Sequence, residues 1–201
     1  MSSAHQIGTS RRRTLLAGAA ATVLVASVTL NVVQASRIRE YLGAREAQPR
    51  PGTIVPPLAV KSLAGQSVEI TFGEQPTILY YFSPSCAWCE RNWLNIKTLI
   101  AGTEGRYRFI GLSTTGDITT YLAKRGLSFE VYTGLSLEAA RAYHFGGTPH
   151  TVVVRPDGRV ERAWAGAFAS VQQLEVERAF GIVLPGVQKV GPVAAGSEVP
   201  R

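Results

Sequence analysis

Residues 77–89 read TILYYFSPSCAWC, and this stretch decides how the chain folds. Its first part, residues 77–82, is a continuous run of residues that favour β-structure, which is typical of a central strand buried on both faces. The stretch as a whole ends with Cys86 and Cys89, two cysteines separated by two residues. Apolar residues then recur at helical spacing, at Trp93, Ile96 and Leu99. The stretch predicts a buried strand that leads through a short loop into a helix carrying two thiols at its start.

Similar patterns continue on both sides of this stretch. Ser136 is a suitable helix N-cap, Gly181 a suitable C-cap, and residues 156–158 (PDG) form a turn typical of a β-hairpin. Strands are predicted at 67–72, 106–112, 151–155 and 159–164, and helices at 86–100, 118–124, 136–143 and 169–180. This order predicts an α/β sandwich, a mixed sheet with helices on both faces.

An uncharged segment of 22 residues, 14–35, follows three consecutive arginines at 11–13. As a helix it would be about 33 Å long, enough to cross a hydrocarbon core of roughly 30 Å. We predict a transmembrane anchor, with residues 1–13 in the cytoplasm because positive charges stay on that side. The alternatives are a cleaved signal ending near Ala35 and a buried helix of the domain. Both the anchor and the signal would export the rest of the chain.

Three further segments follow the apolar one. Residues 36–57 are charged and proline-rich, which is typical of a linker. The folded domain is predicted to span residues 58–181. Residues 182–201 are rich in Gly, Pro and Val without periodicity, and we predict a flexible tail there.

The composition excludes several classes of function. The 201 residues carry a net charge of +7, and subtracting the three arginines at 11–13 leaves +4, spread thinly. Because no basic stripe is interleaved with aromatic residues, we expect no nucleic-acid partner. Two cysteines are too few for a disulfide-rich scaffold or for a pair of structural zinc sites.

Cys86 and Cys89 lie where the predicted helix begins. A thiol at this position faces unpaired backbone N–H groups and the positive end of the helix dipole, which favour the thiolate. Cys86, the more N-terminal and exposed, is predicted to attack a partner disulfide. Cys89 is then predicted to resolve the mixed disulfide that results.

Other roles for the pair are less well supported. A structural disulfide here would close only two intervening residues, which constrains the unfolded chain little. Binding of Cu(I) stays open, with His150 as a further ligand, whereas zinc would require both His144 and His150. A peroxidase would carry Pro-x-x-x-Thr-x-x-Cys, a pattern that precedes neither cysteine.

Three motifs together resemble a known family: residues 82–89 (FSPSCAWC), residues 143–149 (YHFGGTP) and residues 155–158 (RPDG). They are similar to the thioredoxin fold, most closely to the membrane-tethered TlpA-like branch of bacterial thiol-disulfide oxidoreductases. The resemblance covers about residues 52–180. It implies a thioredoxin-like three-layer sandwich with a central mixed sheet. It also implies that Thr148-Pro149 forms a cis-proline loop beside the dithiol, where Thr148 pairs with an extended partner.

Two aromatic residues near the motifs are candidates for binding roles. Trp88, between the cysteines, is interpreted as a contact residue for the partner. His150 follows Pro149 directly and would either stabilise the Cys86 thiolate or point elsewhere in its strand.

The sequence departs from the family at several positions. Thioredoxin has a buried acid six residues before the first cysteine, where this chain has Tyr80. Tethered relatives often have Glu and Pro three and five residues after the second cysteine, where this chain has Asn92 and Leu94. Glu90 is expected on a solvated helix face. Proton transfer to Cys89 is therefore predicted to lack the family's carboxyl groups.

We predict a single-pass protein of the bacterial cytoplasmic membrane whose domain lies on the periplasmic side. Its function would be thiol-disulfide exchange with exported proteins, without cofactor or metal, catalysed by Cys86 and Cys89. The resemblance favours the reducing direction, with a membrane disulfide reductase as electron donor. Trp88, Thr148 and Pro149 would bind the substrate. The alternatives are a Cu(I)-binding chaperone that uses the same cysteines, and an assembly factor that only binds its client.

Overall fold

The computed structural model describes residues 18–36, 48–114 and 117–188 of the chain. The chain divides into two compact units, residues 1–44 and residues 45–201. In the first unit, helix α1 spans Gly18–Ser36 and is exposed along its length. The hydroxyls of Thr22 and Thr29 donate to carbonyls four residues earlier, at 3.0 and 2.8 Å. These polar side chains are therefore satisfied within the helix, as an apolar environment requires.

Helix α1 covers residues 18–35 of the segment predicted as an anchor or signal, residues 14–35, and extends one residue beyond it. Its 19 residues span about 29 Å, close to the thickness of a hydrocarbon core. Among the described residues it is the one helix long and apolar enough to cross a membrane, a criterion that a signal sequence also meets. Residues 14–17 and the predicted cytoplasmic residues 1–13 lie outside the described part of the chain.

The described part of the second unit contains seven strands and four helices. In chain order they are β1 (Leu58–Ser62), β2 (Ser67–Ile70), β3 (Thr77–Phe82), α2 (Ala87–Thr103), β4 (Arg108–Ser113), α3 (Ile118–Arg125), β5 (Glu130–Thr133), α4 (Leu137–Ala142), β6 (His150–Val154), β7 (Val160–Ala165) and α5 (Val171–Phe180). Both predicted caps are confirmed: Ser136 Oγ accepts the N–H of Ala139 at 3.1 Å, and Gly181 ends α5 with a left-handed backbone.

The sequence patterns do not predict β1 and β5. These strands have five and four residues. Strand β5 pairs with both β1 and β4, and this pairing joins β1 and β2 to the rest of the sheet.

The seven strands form one mixed sheet in the order β2-β1-β5-β4-β3-β6-β7. Strand β3 lies inside the sheet, parallel to β4 on one side and antiparallel to β6 on the other. Its side chains alternate between the two faces, with Tyr80 on the first and Leu79 on the second. Because both faces are covered, the strand reads as a continuous apolar run.

Two core clusters cover the two faces of the sheet. The first cluster comprises Ile78, Tyr80, Phe82, Cys89, Ile96, Leu99, Ile118, Tyr121, Leu127, Val131, Val153, Trp164, Phe168, Val176, Phe180 and Leu184. The second cluster comprises Val55, Leu58, Val60, Ile70, Leu79, Ile110, Leu112, Ala139, Tyr143, Phe145, Val152, Val154 and Val160. Helices α2, α3 and α5 thus pack on the first face and α4 on the second, which confirms the predicted three-layer α/β sandwich.

The packed chain extends beyond residues 58–181 at both ends. Before β1, Val55 is buried and its N–H donates to the Gly158 carbonyl at 3.0 Å. After α5, Leu184 is buried and its N–H donates to Glu177 Oε1 at 2.9 Å. These contacts correct the predicted linker and tail for the residues next to the domain. Residues 37–47 and 189–201, the rest of both segments, lie outside the described residues.

Candidate active site

Cys86 is the N-cap residue of α2, just beyond the end of β3. Its N–H donates to the Ser83 carbonyl at 3.1 Å, which closes the turn between strand and helix. Its Sγ accepts the N–H of Cys89, also at 3.1 Å. The sulfur thus occupies the place that a Ser or Asp oxygen usually takes at a helix start. Backbone N–H groups and the helix dipole there stabilise negative charge on the sulfur.

The Thr148-Pro149 loop lies against Cys86. Strand β6 begins at His150, which pairs antiparallel with Tyr81 near the end of β3. The loop before β6 must therefore lie near the C-terminal end of β3, which is also where Cys86 follows that strand. The peptide bond before Pro149 is cis, as predicted, and Cys86 Sγ lies 3.3 Å from the Thr148 carbonyl oxygen. The fold thus brings together predicted site residues that are 62 positions apart.

Cys89 lies on the buried side of α2, in the first cluster. Burial raises the pKa of its thiol from 9.0 to about 12, and the hydrogen bond with Cys86 acts in the same direction. The two thiols are not bonded to each other, and Cys86 is partly exposed. The pair therefore combines an accessible sulfur with a protonated thiol behind it, an arrangement suited to attack followed by resolution.

Trp88 presents a large aromatic surface beside the thiols and is 51% exposed. The Arg91 guanidinium lies 4.4 Å from the centroid of its ring, a cation–π contact. Arg91 Nε donates to the Gln188 carbonyl at 3.0 Å, and the Gln188 N–H donates back to the Arg91 carbonyl at 2.8 Å. The segment after α5 thus holds the side chain that stacks on Trp88. The role of Trp88 in partner binding stays a prediction.

A network of buried amides lies on the inner side of α2. Asn92 Oδ1 accepts the N–H of Phe168 at 3.1 Å and an N–H of the Asn95 side chain at 2.9 Å. The Asn95 side chain also donates to the Phe168 carbonyl at 3.2 Å and accepts the N–H of Gly186 at 2.9 Å. Asn95 belongs to none of the sequence motifs described above. The sequence feature that could have identified Asn95 is its position three residues after Asn92, which places a second polar side chain on the buried face of the helix.

Glu90 forms an ion pair with Arg125 at the end of α3. The glutamate side chain is 42% exposed, whereas the arginine side chain is only 12% exposed. The Arg125 guanidinium also lies 5.6 Å from the centroid of the Tyr121 ring. The partial exposure of the Glu90 side chain agrees with its predicted place on a solvated helix face. The ion pair adds a link between α2 and α3, which favours a structural role for Glu90 over proton transfer.

His150 faces the second cluster, on the side of the sheet opposite Cys89. Its ring centroid lies 5.4 Å from that of Phe145, a member of that cluster. Burial lowers the pKa of His150 from 6.5 to about 4, so the imidazole is neutral near pH 7. The described residues contain no group of three or more His, Cys, Asp or Glu side chains arranged to hold a metal ion. Binding of Cu(I) by Cys86 and Cys89 stays an alternative prediction.

No protein-family model and no curated protein matches the sequence. Solved structures do match. The thioredoxin domain of a thiol-disulfide oxidoreductase from Bacteroides vulgatus is 18% identical, with a TM-score of 0.53 over 66% of this chain and 99% of that one. A thiol-disulfide oxidoreductase from Bacteroides fragilis is 19% identical, with a TM-score of 0.51 over 61% of this chain and 98% of that one.

A third match is a thiol:disulfide interchange protein from Bacteroides sp., which is 19% identical. Its TM-score is 0.50, over 66% of this chain and 91% of that one. At these identities the likeness concerns the path of the backbone, which here carries a Cys-x-x-Cys pair at the start of α2 beside a cis-proline loop. The second unit of this chain therefore has the thioredoxin fold.

Proposed function

We propose that this chain is an exported, membrane-tethered thiol-disulfide oxidoreductase that acts on periplasmic proteins. The observation that carries the proposal is the placement of Cys86. Its Sγ caps α2 and lies 3.3 Å from the Thr148 carbonyl oxygen, and Cys89 follows one helical turn behind it. The solved structures of the same fold named above, described as thiol-disulfide oxidoreductases or interchange proteins, add support.

The proposed reaction uses only the two thiols and a disulfide of the partner. The Cys86 thiolate attacks one sulfur of that disulfide, and the other sulfur leaves as a thiolate that takes up a proton. Cys89 then loses its proton and attacks Cys86 Sγ, which breaks the mixed disulfide and releases the partner. Two electrons have passed to the partner, and Cys86 and Cys89 are left joined as a disulfide.

Thr148, Pro149 and Trp88 form the proposed contact surface for the partner. An extended segment lying along the Thr148-Pro149 loop would pair with the backbone of Thr148 and hold its sulfur near Cys86. Trp88 would add apolar contact area, because its ring is half-exposed in the first turn of α2. Backbone pairing of this kind depends little on the side chains of the partner, so partners of different sequence fit the same surface.

We place the domain on the periplasmic side of a bacterial cytoplasmic membrane, with α1 as its anchor and the arginines at 11–13 inside. The proposed direction is reduction of the partner, which follows the family resemblance. Because that compartment is oxidising, a reductant there must be reduced again after each turnover. The proposed electron donor is a membrane disulfide reductase, which an anchored domain would stay close to.

The test uses the full chain, reduced and kept in detergent micelles, with insulin as a model disulfide substrate. We expect the wild-type chain to reduce insulin and the Cys86→Ser variant to be inactive. A Ser85→Ala variant, altered at the exposed neighbouring residue, should stay active as the matched control. A Cys89→Ser variant should accumulate mixed disulfides with its clients, which mass spectrometry would identify. Insulin reduction by Cys86→Ser at the wild-type rate would rule the proposal out.

A further inference from the structure

Several buried polar groups of the first face lack a hydrogen-bond partner among the described residues, and two of these groups lie on β3 and α2. They are the hydroxyl of Tyr80 and the side-chain nitrogen of Asn92, Nδ2. Tyr80 is 2% exposed and Asn92 is 0% exposed, so neither side chain reaches bulk solvent. Buried polar groups in folded proteins are nearly always paired, because an unpaired one is costly. Two such groups in one place point to a role other than stability.

The orientation of the Asn92 amide is imposed by its neighbours. A backbone N–H can only donate, so the atom of Asn92 that faces the N–H of Phe168 must be the oxygen. The same oxygen accepts from Asn95, which fixes the amide from a second direction. Nδ2 is therefore turned away from both partners. A hydrogen-bonding interaction with the Asn92 side chain lowers the pKa of the Tyr80 hydroxyl, so the two groups lie next to each other, although they form no regular hydrogen bond.

Both groups lie beside Cys89. Asn92 follows Cys89 by three positions on the buried side of α2, and side chains at this spacing are neighbours. Tyr80 and Cys89 belong to the same core cluster. Burial raises the pKa of Tyr80 well above its usual value, and negative charge on Cys89 raises it further. Tyr80 therefore keeps its proton and serves as a hydrogen-bond donor, not as a base.

The other titratable groups around Cys89 do not favour its thiolate. Cys86 interacts with it in the direction that raises the Cys89 pKa. Tyr121 on α3 has its own pKa raised by burial and is neutral as well. Glu90 is engaged in its ion pair with Arg125. Hydrogen bonds with the Ser83 backbone and the Thr148 side chain act in the opposite direction and lower the Cys89 pKa. On the inner side of α2, Tyr80 and Asn92 add an O–H and an N–H group for a charge on Cys89.

We propose that the Tyr80 hydroxyl and the Asn92 amide stabilise the Cys89 thiolate that must form when the mixed disulfide is resolved. This rests on the proposed oxidoreductase function and concerns its second step. There, Cys89 Sγ gives up its proton to solvent and bonds to Cys86 Sγ. The bond between Cys86 and the partner sulfur breaks, and the partner thiolate takes up a proton. Tyr80 keeps its proton throughout, and the two dipoles, fixed in advance, need not reorient as charge develops.

The test measures the second step by itself in the reduced full chain in detergent micelles. Ellman's reagent reacts with Cys86 and releases one coloured thiolate, and attack by Cys89 then releases a second. Stopped-flow absorbance separates the two releases in time. The Tyr80→Phe variant removes the hydroxyl and keeps the ring, and Tyr143→Phe removes a buried hydroxyl from the second cluster as the matched control.

We expect Tyr80→Phe to slow the second release roughly tenfold and to move its pH profile upward by about one unit. The first release should be unchanged, and the midpoint of thermal unfolding of the reduced chain should stay the same or rise, because an unpaired buried hydroxyl has been removed. Tyr143→Phe should leave the second release unchanged. An unaltered second release in Tyr80→Phe, or equal slowing in both variants, would overturn the inference. Neither result touches the proposed function, which the insulin assay decides.

Discussion

Replacing Asn95 by Ala tests whether buried amides hold the helix that carries the thiols. The side chain is 0% exposed and makes three hydrogen bonds, at 2.9, 3.2 and 2.9 Å, to Asn92, Phe168 and Gly186. At about 1 kcal/mol for each bond, Asn95→Ala is expected to lower the free energy of unfolding by about 3 kcal/mol. For a domain of this size, that corresponds to a fall on the order of 10 °C in the midpoint of thermal unfolding.

The assay is thermal unfolding of the reduced full chain in detergent micelles, followed by near-ultraviolet circular dichroism. This signal reports the packed aromatic residues of the domain and not the helix α1. Lys97→Ala is the matched control, because Lys97 is exposed on the same helix two positions after Asn95. The control should change stability by less than about 0.5 kcal/mol. If Asn95→Ala unfolds at the same temperature as Lys97→Ala, the amide network does not hold α2 and the reasoning is wrong.

Two further predictions concern the second unit. Leu184→Ala should lower the free energy of unfolding by about 2–4 kcal/mol, because the side chain is 3% exposed in the first cluster, whereas Val183→Ala, at an 84% exposed position, should change it little. Equal effects in chemical denaturation would show that this segment is not packed. The reduced chain should also lose stability as the pH falls from 6.5 to about 4, because burial lowers the pKa of His150 and the unfolded state takes up the proton first. A His150→Gln variant should lose less stability over that interval, and an identical decline would contradict the assignment.

Local signals in the sequence were sufficient for the elements that carry the chemistry. The run from Thr77 to Phe82 has the composition of a strand covered on both faces, and β3 has those bounds. The placement of Cys86 and Cys89 at the start of a helix could be predicted from neighbouring residues alone. The capping residues Ser136 and Gly181 act within one turn, and both are confirmed. A helix long and apolar enough to cross a membrane was likewise predictable, because an uncharged segment flanked by arginines depends on composition alone.

The placement of Thr148-Pro149 beside the thiols was predicted only through resemblance to a family. No local pattern relates positions 62 residues apart. The antiparallel pairing of β6 with β3 brings Thr148 close to Cys86 in space, and strand pairing depends on the whole sheet. The short strands β1 and β5 are strands for the same reason: β1 has β2 and β5 as partners, while β5 has β1 and β4.

Which way each polar side chain points was decided by the tertiary structure alone. His150 follows Pro149 directly, yet the alternation of β6 turns it to the second face, away from Cys89. In the sequence, Tyr80 and Asn92 are notable only because they occupy positions where relatives have acidic residues. The packing of β3, α2 and the Phe168 backbone leaves their donor groups unpaired next to Cys89. The sequence alone determined that two thiols lie at the start of a helix. Only the fold decided what surrounds the buried thiol, because that depends on strand register and on segments distant in the chain.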